Sequence, residues 1–191
     1  TDSGQSGQAM SQQTLSAATE ITGRGLMHGQ DVTLRMLPAP VDHGIVFERV
    51  DLDPPVHIPA IVDYAVDRDR RTTLRSGEAV VETIEHCMSA IRGAGVDNVL
   101  LQIDGPEVPL GDGSALPIAE AIAAVGSEAQ DAPRDIIQVI EPIILREDDA
   151  MLAAFPSVGD EFRVMYELDK SKKQDRHTRK SFAFTLAEDA S

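Results

Sequence analysis

The sequence predicts an α+β fold, and three patterns carry that prediction. Residues 31–37 (DVTLRML) alternate apolar and polar with a period of two, as a half-buried strand does. Ile84, Cys87, Met88 and Ile91 recur at helical spacing and draw an apolar stripe. Beyond residue 135, strand-like segments follow one another with no helical stretch between them.

The elements follow in order. Residues 1–13 read as a flexible tail, its first nine residues being small and polar. Residues 14–22 alternate loosely, and Gly23, Gly25 and Gly29 punctuate a turn. Val32, Leu34 and Met36 form one face of the next strand, which Pro38 and Pro40 end. Gly44 opens a strand over Ile45–Val50, expected to pair with its predecessor as a hairpin. Residues 54–60 are proline-rich and extended, Arg68–Arg75 is a basic loop or edge, and Ala79–Val81 is a short strand. The striped helix follows, with Thr83 as its expected N-cap and Gly93 and Gly95 as its stop. Asn98–Ile103 and Val108–Leu110 are expected strands. Ser114 is the expected cap of a second helix, which Gly126 ends.

Residues 128–134 read as a polar linker. After it come strand-like segments at 136–145, 151–155, 162–168 and 181–186, with the charged stretch 169–180 before the last. A sheet without a covering layer leaves an apolar face open, so 135–191 is expected to be a partial domain, sheet only.

Composition narrows the function classes. A net charge of −15 opposes nucleic-acid binding, which needs basic surface to displace counterions, and fits solubility or a salty habitat. With aromatic residues at 4% and no Trp, the core must be aliphatic. The single cysteine, Cys87, excludes an internal disulfide framework and points to a reducing cytoplasm. No apolar run approaches the roughly 20 residues of a membrane-spanning helix.

Glu85-His86, in the first turn of the first helix, is the pair with chemistry in it. A helix N-terminus favours a carboxylate and disfavours a charged imidazole, and a metal needs the neutral imidazole. A carboxylate beside an activated water can take its proton. The dipeptide alone is a weak signal, and a solvated helix face is the plain alternative. Glu82, one turn before His86, reads as solvent-facing. Arg68, Arg70, Arg71 and Arg75 form a local basic patch, read as a solvated edge or as attraction for a diphosphate. His43 and His57 are given no role, and His177 reads as a solvated loop residue.

Residues 79–117 resemble the UDP-3-O-acyl-N-acetylglucosamine deacetylase family of lipid A biosynthesis. The resemblance rests on Thr83-Ile84-Glu85-His86, Gly95-Val96-Asp97-Asn98, Gly105-Pro106-Glu107-Val108-Pro109 and Asp112-Gly113-Ser114-Ala115. Upstream it includes Gly23-Arg24-Gly25-Leu26 with Gly29, Pro38-Ala39-Pro40, Gly44-Ile45-Val46-Phe47 and Arg71-Thr72-Thr73-Leu74. It is close over 14–127 and looser over 135–191.

The resemblance implies two similar domains, each a mostly antiparallel sheet with helices on one face. The first, 14–127, carries Glu85-His86, and the second is incomplete in this chain. It implies zinc-dependent hydrolysis of the N-acetyl group of a UDP-linked acylated amino sugar. His86 would be one of three Zn2+ ligands, Glu85 the general base, and Thr72 and Thr73 part of the loop bordering the substrate. Asp112, Gly113 and Ser114, like Asp97 and Asn98, read as turn residues. Where the family usually has His followed by a small polar residue, this chain has Met27-His28. The family's other two zinc ligands lie on a later HKxxD-type segment, with a further catalytic His beyond, and neither is present in these residues. The remaining ligands would come from a missing C-terminal segment or a second chain. The alternative is a truncated, catalytically inactive homologue that acts as a binding or interaction module.

Overall fold

The alternating stretch at Asp31–Pro38 becomes the strand around which the first part of the molecule is organised. The computed structural model describes residues 10–157, 161–169 and 179–186, and the chain divides into two units, 1–134 and 135–191.

The first unit contains strands β1 (Ser11–Leu15), β2 (Thr19–Arg24), β3 (Asp31–Pro38), β4 (Ile45–Arg49), β5 (Val56–Pro59), β6 (Ala65–Val66), β7 (Thr73–Ser76) and β8 (Ala79–Glu82). It also contains a 3-10 helix (Val62–Tyr64), helix α1 (Glu85–Gly93), strand β9 (Val99–Ile103), helix α2 (Leu116–Val125) and strand β10 (Ser127–Pro133). A five-stranded sheet runs in the order β2-β3-β9-β4-β5, and a three-stranded antiparallel sheet in the order β6-β7-β8.

The hairpin expected between β3 and β4 does not form. β9 inserts between them, antiparallel to β3 and parallel to β4. Its alternation explains the choice: Val99, Leu101 and Ile103 are at most 1% exposed, so only a central position buries them. Two further expectations at the ends are corrected. Ser11–Gln13, read as tail, and 128–133, read as linker, form most of the antiparallel pair β1-β10. Asp97 and Asn98, read as turn residues, anchor that pair. The Asp97 carboxylate accepts the Gln13 N–H at 2.9 Å and the Arg134 Nε–H at 2.9 Å. The buried Asn98 amide donates to Gln12 and Gln130, each at 2.7 Å, and accepts the Gly44 N–H at 2.8 Å.

One apolar core joins the sheets and helices. Val32, Leu34 and Met36 meet Phe47, Leu101, Val81, Cys87 and Ile91 in a single buried cluster, to which α2 contributes Ile118 and Ile122. As composition requires, the filling is aliphatic, with Phe47 the one aromatic among the largest fully buried side chains. α1 ends as expected at Gly95, in the left-handed region (φ 71°). Its N–H donates to the Arg92 carbonyl, and the Val96 N–H donates to the Ile91 carbonyl, the paired bonds of a Schellman stop.

The second unit contains two antiparallel hairpins, β11 (Ile143–Glu147) with β12 (Ala150–Ala154), and β13 (Phe162–Asp169) with β14 (Arg179–Leu186). The strand expected over 136–145 begins only at Ile143, after Pro142. Ile144, Leu145, Met151, Leu152, Phe162, Met165 and Phe182 are each more than half exposed. His177 lies outside the described residues.

Candidate active site

The site forms where β8 turns into α1. Thr83 sits at φ 59°, a left-handed conformation that costs a β-branched residue on the order of 1–3 kcal/mol. This bend aims Glu85 and His86 out of the strand direction into the first helical turn. Thr83 was the expected N-cap, but its hydroxyl donates instead to the Glu107 carboxylate at 3.0 Å, and Ile84 occupies the cap position with no side-chain cap bond. Ser114 comes closer to its expected role. Its hydroxyl accepts the Leu116 N–H at 3.1 Å at the start of α2, although Ala115 is the cap residue.

Glu85 is half-buried, and its carboxylate accepts the Thr72 N–H at 3.0 Å. The Ile84 N–H returns a bond to the Thr72 carbonyl at 3.3 Å. The residue before β7 is thus clamped to the start of the helix from both directions. His86 is also half-buried, and among the described residues it has no hydrogen-bond or ion-pair partner. The two expected threonines differ. Thr72 is exposed beside Glu85, whereas Thr73 is fully buried and its hydroxyl lacks a hydrogen-bond partner among the described residues.

Glu82 corrects the expectation of a solvent-facing residue. It stands directly opposite Thr73 across the β7-β8 ladder and is only 6% exposed. A buried carboxylate needs partners. His28 Nε2 lies 2.9 Å from one oxygen, and the Arg71 guanidinium lies 3.3–3.4 Å from the two oxygens. The expected basic patch therefore divides. Arg71 is committed to Glu82, while Arg68, Arg70 and Arg75 are exposed. Of the other histidines, His57 pairs with Glu48 at 3.2 Å, and His43 is partly buried.

Glu107 is the residue that sequence reasoning missed. It is fully buried, and its carboxylate accepts the Met27 N–H at 2.9 Å, the His28 N–H at 3.0 Å and the Thr83 hydroxyl. Burial pushes such a carboxyl upward, but the His28 and Met27 N–H groups and the Thr83 hydroxyl outweigh it. The group is held below the usual carboxylate range. Gly25 is required here because a Cβ would collide with the Glu107 carboxylate. The signal lay in Pro106-Glu107-Val108-Pro109, where one charge stands in an otherwise apolar run.

As a metal centre the site is partial. A half-buried imidazole fits one ligand position, but a catalytic zinc takes three protein ligands. Among the described residues no group of three or more His, Cys, Asp or Glu side chains is arranged to hold a metal.

The family model described as UDP-3-O-acyl N-acetylglycosamine deacetylase matches residues 12–190. The chain belongs to this family. Relatives named UDP-3-O-acyl-N-acetylglucosamine deacetylase include one from Myxococcus xanthus, 41% identical over 83% of this chain and 50% of its own length. Another, from Cellvibrio japonicus, is 39% identical over 93% of this chain and 59% of the relative. A third, from Thioalkalivibrio sulfidiphilus, is 42% identical over 83% and 51%. This member of the deacetylase family therefore spans about half the length of the curated relatives it matches. Among the described residues the fold has the α+β character expected, two α-helices and mostly antiparallel sheets. No helix among the described residues is long and apolar enough to cross a membrane.

Proposed function

We propose that the chain is the part of a UDP-3-O-acyl-N-acetylglucosamine deacetylase that supplies the general base and one metal ligand. The supporting observation is the start of α1, where the Thr72 N–H holds the carboxylate of Glu85 and the next residue, His86, has no hydrogen-bond or ion-pair partner among the described residues. Glu85 accepts a proton from the water that attacks the acetamide carbonyl. The Thr72 bond fixes the carboxylate for that transfer, since a proton acceptor works only within hydrogen-bond reach of its donor. His86 presents one imidazole to a Zn2+ ion, whose chemistry when bound is Lewis acidity toward an acyl oxygen.

Thr72, exposed beside Glu85, is the threonine that borders the substrate, and Thr73 forms the wall behind it. The remaining zinc ligands come from a segment outside this sequence or from a second chain. The same segment covers the exposed apolar side chains of the second unit. The chain by itself is then inactive, because one imidazole does not make a three-ligand site. The compartment that suits this reading is the cytoplasm, where the buried, unpaired Cys87 stays reduced.

The test is release of acetate from UDP-3-O-acyl-N-acetylglucosamine by the full-length protein. The parent is expected to bind one zinc and turn over, Glu85→Ala to keep the zinc and lose turnover, and His86→Ala to lose the zinc. The 191-residue chain alone is expected to show neither. Turnover by the isolated chain, or by full-length Glu85→Ala, would contradict the assignment. Full-length protein that binds neither zinc nor substrate would favour the interaction-module reading.

A further inference from the structure

We propose that Glu107 is a positioning residue for Glu85, acting through the hydroxyl of Thr83. The inference rests on the roles given above to Glu85 and His86. Glu107 carries its charge in a fully buried place, where an unpartnered carboxylate would not be tolerated. Its partners are not spread at random through the core. They are the Met27 and His28 N–H groups of one turn and the side chain of Thr83, the residue whose left-handed backbone starts the bend into α1.

The backbone around Glu107 holds the same junction. The Glu82 N–H donates to the Pro106 carbonyl at 2.8 Å, and the Val108 N–H donates to the Glu82 carbonyl at 3.1 Å. Both residues immediately before the helix cap are therefore fixed by the segment 106–108, Glu82 through its backbone and Thr83 through its side chain. Glu85 follows Thr83 by two residues, so a change in the Thr83 dihedral angles swings the Glu85 carboxylate away from Thr72. Gly25 leaves the space in which the carboxylate sits. A contact that only filled the core would not require a hydroxyl at Thr83, whereas a contact that aims the helix does.

The experiment compares full-length enzyme carrying Thr83→Ser, Thr83→Val, Glu107→Gln, the double variant Thr83→Val/Glu107→Gln, and Glu85→Ala. Measured quantities are kcat, KM, zinc content and the thermal transition. Thr83→Ser keeps the hydroxyl and is expected to keep kcat within about twofold. Thr83→Val and Glu107→Gln are each expected to lower kcat by about tenfold or more, with KM and zinc content near parental, as misorientation of a reacting group does. The double variant is expected to fall no further than the worse single one, because one contact is lost in both.

Parental kcat in Thr83→Val, a Thr83→Ser no better than Thr83→Val, or losses that multiply in the double variant would overturn the positioning role. If Glu107→Gln does not fold, the Ser and Val variants at position 83 decide alone. A Glu85→Ala enzyme that retains activity overturns the general-base assignment and this role with it. An inactive Glu85→Ala beside a fully active Thr83→Val overturns the positioning role only.

Discussion

Thr72 and Glu85 hold each other across the junction between β7 and α1. The Thr72 N–H donates to the Glu85 carboxylate at 3.0 Å, and the Thr72 carbonyl accepts the N–H of Ile84, the neighbour of Glu85, at 3.3 Å. This closed loop of bonds gives an otherwise mobile carboxylate one direction. On the general-base role proposed for Glu85, Glu85→Ala in the full-length protein is expected to reduce kcat by about 10²–10⁴-fold. The side chain is only half-buried, so the melting temperature is expected to change little. Steady-state kinetics beside a thermal melt checks both expectations.

Asn98 is the polar joint of the first unit. Its amide bonds to Gln12, Gln130 and the Gly44 N–H, and its carbonyl accepts the Thr14 hydroxyl at 2.8 Å. Asn98→Ala removes the amide and leaves buried partners unpaired, at an expected cost of about 1–3 kcal/mol. Urea denaturation of the chain followed by circular dichroism would measure it. An unchanged midpoint would show that these partners find other bonds.

Glu107 predicts a pH dependence of stability. Its carboxyl is held below the ordinary value of 4.5 in the folded state, so the unfolded state binds the proton more readily. The contribution to stability is then fully present above pH 4.5 and is lost as pH falls through the folded value. Parent and Glu107→Gln are expected to differ most in melting temperature near neutrality and to converge in acid. Thermal melts of both across the acid range test this. A constant difference would mean that the charge is not what the Met27 and His28 N–H groups recognise.

Cys87 lies fully buried in the core side of α1, and burial pushes its thiol up to about 12. Only the thiolate reacts readily. The native chain is therefore expected to resist a thiol reagent at neutral pH and to react fully once unfolded in urea. Rapid labelling of the native protein would show that α1 opens locally.

Local patterns identified the strands at Asp31–Pro38 and Val99–Ile103 and the helix that starts at Glu85, because alternation and helical stripes are local consequences of which face is buried. Gly95 as the stop of α1 was legible for the same reason, since a left-handed backbone position favours glycine. The ordered motifs around Glu85 and His86 were legible as a family resemblance, which the match over residues 12–190 bears out.

Tertiary structure alone decided which strands became neighbours and where the polar side chains went. β9 displaced the expected β3-β4 hairpin because three of its residues needed a central, covered position. Thr83 exchanged its capping role for a bond to Glu107, 24 residues away, and Glu82 turned inward to meet His28 and Arg71. The residues around Glu82 carry no local sign of whether water or protein will satisfy its carboxylate. That depends on donors from distant segments, which only the folded chain brings within reach.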